Sequence, residues 1–351
     1  MCAIVNVYDG AMAHNQISRR DTFAMFGGAL GAMNVAPLFA QQRSGEDLPK
    51  APTDVKPGSI TYEDVAYPCP VQYLPLTLYG QDVRMAYMEA PPAAAPNGRT
   101  VVLFHGMNFG GFYFSGPIQV LRDAGFRVVV PDQIGFGRSS KPVIPYNFHD
   151  MAANSRKLLQ TLGIAKAAIV GHSMGGMLAA RFAASHPEIT ERAVIYNPIG
   201  LTDPRFGNQK WSTADEAYKA RVGQTRDQAY QQAYGTIKRY FPHEWKPEYD
   251  QLVRILYAPT LSADWPRFAW VRVLCQQMTF LDPVVYDWAH IKVKTLVLGG
   301  ASDGPDFPAQ AKHIADTIPG AELKLLPDLG HVPHIEAPEV FYPPLLKFLK
   351  S

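Results

Sequence analysis

The stretch AAIVGHSMGGMLAA, residues Ala167 to Ala180, decides how this chain is read. Four apolar residues lead into Gly171-His172-Ser173-Met174-Gly175-Gly176, and a run of small helix-forming residues follows. A buried strand that turns sharply into a helix has this pattern. A serine at such a turn is held in strained backbone geometry, and glycines two before and two after it give the neighbouring chain room. Its hydroxyl then stands above the sheet edge. The helix behind it aims N–H groups and a partial positive charge at any oxyanion that forms there. A G-x-S-x-G pattern alone is a weak signal, since a glycine-rich turn with an idle serine shares it. Weight comes from the strand before, the helix after and the partner residues elsewhere.

Composition bounds the alternatives. The 351 residues are 47% apolar and 18% charged, enough for one large or two small domains with a substantial core. The formal net charge is +2 and no basic run is interleaved with aromatics, so nucleic acid is not an expected partner. The three cysteines and ten histidines show neither CxxC nor HExxH spacing. No metal site and no cofactor are therefore expected.

Residues 1–40 read as an export signal rather than as fold. Arg19-Arg20 precede a mildly apolar segment that ends in Leu38-Phe39-Ala40, a loosely A-x-A-like cleavage site, and the pair resembles a bacterial twin-arginine signal. Thr22 departs from that pattern, and a Sec signal or a retained helix is the competing reading. Gly27, Gly28, Gly31, Asn34 and Pro37 weaken any spanning helix, so no stable membrane anchor is expected after signal removal, and the expected location is periplasmic or secreted. In that compartment Cys69 and Cys275 either pair or remain two buried thiols. Residues 41–73 read as an N-terminal arm.

From residue 74 the chain alternates strand and helix. Leu74 to Ala90 reads as a hairpin around Tyr79-Gly80-Gln81-Asp82, and Arg99 to His105 as a buried strand entering the glycine-rich loop Gly106-Met107-Asn108-Phe109-Gly110-Gly111. Helix follows at Ser115 to Ala124, strand at Phe126 to Pro131, and helix at Asn147 to Leu162. The intervening Asp132 to Pro142 loop has spaced glycines, but no G-x-G-x-x-G opens a helix there, so it is read as structural rather than dinucleotide-binding. After a strand at Arg192 to Tyr196 the rhythm breaks. Residues 200–291 show helical stretches, notably Ala214 to Tyr240 and Pro247 to Leu256, dense in aromatics that either pack a small core or line a pocket. Strand and helix then resume through Val293 to Leu298, Ala309 to Thr317, Ala321 to Leu326 and Pro338 to Leu349. The expected fold is α/β: a mostly parallel eight-stranded sheet flanked by helices over residues 74–199 and 292–351, with a helical cap at 200–291 inserted before the last two strands.

Ser173, Asp303 and His331 each lie just past a predicted strand, in that chain order. With HG-M-N-x-GG at the loop after His105, GHSMGG at the serine and GH-x-x-x-x-E-x-P at His331, the chain from about residue 74 to 350 resembles the capped α/β-hydrolases, and among them the serine esterases and lipases. Epoxide-opening and dehalogenating relatives carry aspartate where Ser173 stands. The resemblance implies a serine nucleophile activated by His331, an Asp303 that orients the imidazole, and an oxyanion hole formed by the backbone N–H groups of Met107 and Met174. His334 and Asp306 compete for the base and acid roles. His331 is preferred because it directly follows glycine, and His172 is read as a packed, hydrogen-bonded side chain. The implied reaction is hydrolysis of an ester or lactone of a small, mainly apolar molecule. A C–C bond hydrolase, an aminopeptidase using Asp215, Glu216, Glu244, Glu248 or Asp264 to hold an amine, and a non-catalytic ligand receptor are the alternatives. Oligomeric state is not legible.

Overall fold

The computed structural model describes residues 48–207 and 211–351; the export-signal reading of residues 1–40 lies outside the described residues. Eight strands form one sheet in the order β1-β2-β4-β3-β5-β6-β7-β8. The hairpin β1 (Val71–Leu78) and β2 (Gln81–Ala90) is antiparallel, joined by Tyr79 and Gly80 at φ 49° and 73°. Both values lie in the left-handed region that a two-residue hairpin turn needs. The strand β3 (Thr100–Phe104), the helix α1 (Ser115–Asp123), the strand β4 (Arg127–Pro131) and the helix α2 (Phe148–Thr161) follow. Next come β5 (Ala167–His172), α3 (Met174–Ser185) and β6 (Thr190–Tyr196). The strands from β3 to β8 pair in parallel, and β2 joins them antiparallel through β4.

All residues of β3 and β5 are buried, as expected of apolar runs covered by helices on both faces. α3 is buried from Met174 to Ala183, and its glycines and alanines let it approach the sheet closely. A Cβ on Gly171 would overlap the Gly175 carbonyl, and one on Gly175 would overlap the Phe104 carbonyl of β3. Arg181 is the charged residue in this buried stretch. It is neutralised by Asp282 at 3.0 Å and Asp287 at 2.6 Å, and Asp282 also accepts the first N–H of α2 at 2.7 Å.

Between β6 and β7 the chain forms α4 (Ala214–Val222), α5 (Arg226–Tyr240), α6 (Tyr249–Tyr257) and α7 (Trp265–Leu281). The expected stretch from Ala214 to Tyr240 is broken at Gly223, because Thr225 opens a new helix with a capping box to Gln228. Most of the aromatics here pack on one another: Phe241 stacks on Tyr249 at 3.5 Å, Tyr218 meets Trp270 at 5.0 Å and Tyr230 meets Tyr257 at 5.2 Å. The chain then forms β7 (Lys294–Gly300), α8 (Phe307–Thr317), β8 (Glu322–Leu326), the single turn α9 (Pro333–Glu336) and α10 (Pro338–Lys350).

The arm from residue 48 straps the inserted helices to the sheet domain. Gly58 N–H bonds the Ala258 carbonyl at 2.9 Å and Asp54 pairs with Arg254 at 2.8 Å, while Tyr67 donates to Asp132 at 2.7 Å. Asp132 also accepts from the N–H groups of Gly111 and Arg138, which gives its loop the structural part expected of it. Cys69 and Cys275 are free thiols, Cys275 fully buried. No helix among the described residues is long and apolar enough to cross a membrane.

Gly175→Ala should lower the stability of the folded protein by about 3 kcal/mol, because the new methyl meets backbone rather than a movable side chain. Urea unfolding measures this, and an unchanged midpoint would contradict the packing described.

Candidate active site

β5 and β6 are neighbours, and the chain leaves β5 through a single residue of reversed backbone. Ser173 has φ 57° and ψ −120°, a conformation rare outside glycine, and it heads α3 directly. Its N–H bonds the Tyr196 carbonyl at 3.1 Å, which ties the turn to the end of β6. The residue is only 4% exposed.

The loops after β7 and β8 meet this turn. His331 Nε2 lies 3.0 Å from Ser173 Oγ, and His331 Nδ1 lies 2.8 and 2.9 Å from the two oxygens of Asp303. A carboxylate only accepts, so Nδ1 carries the proton and the bare Nε2 faces the hydroxyl. Asn197, the residue after β6, donates to Asp303 at 2.8 Å and to the Gly330 carbonyl at 3.2 Å, and accepts from Gly300 N–H at 3.2 Å. It is fully buried with φ 41°. A neutral amide, Asn197 cannot itself serve as the acid, but it holds the acid in place. Asp306 instead precedes α8. His334 is buried beside the Tyr196 hydroxyl at 3.3 Å, and burial pushes its pKa down to about 3.

The loop after β3 is fixed from two sides. His105 donates from Nδ1 to the Gly106 carbonyl at 2.9 Å and accepts at Nε2 from Gln133 N–H at 3.0 Å. Across a trans peptide the N–H points opposite to the carbonyl, so fixing Gly106 C=O also fixes Met107 N–H. That N–H has no acceptor among the described residues. Met174 is the first residue of α3, and its N–H has no partner within the helix.

A second chain of bonds joins the two loops through the residue before Ser173. Gly106 N–H donates to the Tyr113 hydroxyl at 2.9 Å, Tyr113 O–H lies 2.7 Å from His172 Nδ1, and His172 Nε2 lies 2.7 Å from the His331 carbonyl. The carbonyl can only accept, so His172 is the Nε2–H tautomer and Tyr113 donates to Nδ1. Burial, with the His331 and His334 charges second, holds the His172 pKa well below its ordinary value.

Helices α5 and α7 close over the same loops. Tyr240 packs its ring, tilted by 33°, against that of His331 with centroids 4.6 Å apart, accepts the His331 N–H at its carbonyl at 3.0 Å, and takes a 2.6 Å bond from Asn108 at its hydroxyl. Arg272 of α7 donates to the Met107 carbonyl at 2.8 Å and to Asn108 Oδ1 at 2.6 Å. A cleft of about 270 Å³ between the arm and α6, lined by Asp54, Tyr62, Arg254 and Ala258 among others, includes none of these groups.

A sequence model of the alpha/beta hydrolase fold family matches residues 99–338. The chain belongs to the α/β-hydrolase family. The hydrolase is 36% identical to a probable hydrolytic enzyme from Pseudomonas aeruginosa PAO1 of known structure, with a TM-score of 0.78 over 85% of this chain and 99% of that one. It is 27% identical to Lipase 1 of Psychrobacter immobilis over 75% of this chain and 79% of that protein. The enol-lactonase of Burkholderia xenovorans LB400 shares the fold at 22% identity and a TM-score of 0.62, over 79% of this chain and all of that one.

Of the five residues singled out in the sequence, the structure joins Ser173, His331 and Asp303 in one row, while Met174 follows Ser173 and Met107 follows Gly106, which packs against Ser173. Sequence reasoning missed Asn197, Tyr113, Tyr240 and Arg272. Tyr113 carried no motif, and Arg272 sits in a helix without the polar stripe that would have marked it.

Below pH 6.5 the unfolded hydrolase binds a proton at His334 that the folded form refuses down to about pH 3. Stability is therefore full above pH 6.5 and falls by about 1.4 kcal/mol per pH unit below it from this group alone. Nitrogen-15 NMR at pH 5 should find His172 and His334 neutral, His172 as the Nε2–H tautomer. Imidazolium shifts would contradict the effect of burial on either residue and, for His172, the hydrogen-bond directions given above.

Proposed function

We propose that the hydrolase cleaves a carboxylic ester or lactone of a small, mainly apolar molecule through an acyl-serine. The reading rests on one observation: the hydroxyl of Ser173, the imidazole of His331 and the carboxylate of Asp303 form an unbroken row at 2.8 to 3.0 Å. A serine hydroxyl is a poor nucleophile until a neutral imidazole takes its proton. As Oγ bonds the acyl carbon, His331 Nε2 receives that proton, and Asp303 stabilises the imidazolium without itself taking it. The developing oxyanion meets Met107 N–H and Met174 N–H, each worth about 3–4 kcal/mol in comparable sites. His331 then returns the proton to the leaving alkoxide. Water repeats the sequence on the acyl-serine and frees the acid.

The lipase and enol-lactonase names of similar proteins support acyl-oxygen cleavage. An aminopeptidase has less support. Asp215, Glu216, Glu244, Glu248 and Asp264, the carboxylates available to hold an amine, are all exposed. Asp215 pairs with Lys219 at 2.7 Å and Glu216 closes a capping box.

Ser173→Ala should reduce kcat on a short p-nitrophenyl ester by about a million-fold, because the row loses its nucleophile. Retained activity in that variant would overturn the acyl-serine reading. A wild-type protein that turned over no ester and took no label from a fluorophosphonate would favour a non-catalytic receptor.

A further inference from the structure

Among the described residues, Arg272 is a charge without a counter-charge. Its Nη1 and Nη2 donate to a backbone carbonyl and an amide oxygen, both neutral, and no carboxylate among the described residues pairs with it. Arg181, where α3 meets the end of the same inserted segment, shows the usual solution, with two carboxylates on one guanidinium. Clamping a carbonyl and an asparagine needs only neutral donors. A partly buried cation that stays uncompensated carries a desolvation cost that such a clamp does not require.

Arg221 of α4, which packs along α7, bonds Gln276 at 2.7 Å. The carboxylates of the inserted segment are turned outward or committed elsewhere: Asp203 to Arg205, Asp215 to Lys219, Asp250 to Trp245, and Asp282 and Asp287 to Arg181. The guanidinium of Arg272 sits on the carbonyl of Met107, the residue whose N–H is proposed above to receive the oxyanion. Asn108 is oriented by the same network: its NH2 donates to Tyr240, which leaves its oxygen for Arg272. Two of the five guanidinium N–H groups are used in this way, and three remain.

We propose that Arg272 anchors a carboxylate at the far end of the substrate's acyl group, so that the hydrolase acts on half-esters or lactones of short dicarboxylic acids. This inference rests on the acyl-serine reading and narrows its substrate class to acyl chains that are apolar in the middle and anionic at the tip. The reaction is balanced by water alone: half-ester and water give dicarboxylic acid and alcohol. A charge-assisted, forked contact to a carboxylate is the interaction guanidinium makes best. Placed one residue from the oxyanion donors, it would fix the acyl carbon relative to Ser173 Oγ.

The test uses the full chain and a series of p-nitrophenyl half-esters of succinate, glutarate and adipate. Each is compared with the same molecule methyl-capped at the free carboxylate, after subtraction of spontaneous hydrolysis. Wild-type kcat/KM should favour at least one half-ester over its capped form by tenfold or more. Arg272→Gln, which keeps a neutral donor, should erase that ratio, and Arg272→Lys should keep part of it. Equal losses on charged and capped esters in Arg272→Gln would overturn the proposal and leave Arg272 a positioning residue. If neither variant folds, competition on the wild type decides. Glutarate should slow fluorophosphonate labelling of Ser173 where the neutral diamide glutaramide does not, and equal effects would refute the anion site. Absence of labelling altogether would instead refute the acyl-serine reading on which the proposal stands.

Discussion

The reversed backbone at Ser173 is the constraint on which the rest of the structure depends. A residue with φ 57° between a strand and a helix costs free energy, and it persists because both flanks are packed too tightly to relax. Gly171 and Gly175 bring their backbones into contact with each other, and Gly175 rests on the last residue of β3. The turn can neither widen nor slide along the sheet. The hydroxyl is thereby set at the sheet edge where β3 and β5, adjacent and parallel, send their loops to the same side.

Around that fixed point, hydrogen-bond direction does most of the organising. Asp303 accepts only, so the proton on His331 must face it, and Nε2 is left for the serine. Asn197 and Gly330 hold the acid and base loops together from beneath. The Tyr113–His172 chain carries the same logic from the Gly106 peptide to the His331 carbonyl, so both loops are referenced to the residue preceding Ser173. Burial keeps His172 neutral, which is the state these bonds require. From above, Tyr240 and Arg272 touch those loops rather than the serine. The inserted helices therefore bear on the base His331 and on the loop after β3, not on the nucleophile.

The sheet was legible because its strands are continuous apolar runs bounded by glycine, proline or charge, and the site because three strand-terminal loops carry the residue types one chemistry needs. What escaped notice had no local signature. Asn197 looks like any polar residue after a strand, and only the fold brings it to Asp303 and Gly330. α7 was not singled out because apolar residues surround it, and with no amphipathic stripe its one inward arginine did not stand out. The split between α4 and α5 was written in Gly223 and in the Thr225–Gln228 box, but it was overshadowed by good helix formers on both sides. The aromatics of residues 200–291 illustrate the limit of composition: stacked pairs and pocket walls look alike until partners are known.

The central claim is that the oxygen of Ser173 becomes covalently acylated. Acid-quenched reaction of the wild-type protein with a p-nitrophenyl ester, followed by peptide mapping in the mass spectrometer, addresses it directly. One acyl group on the peptide that contains Ser173 is the predicted result. Ester turnover with no acyl group there, or with the acyl group on another residue, would contradict the account.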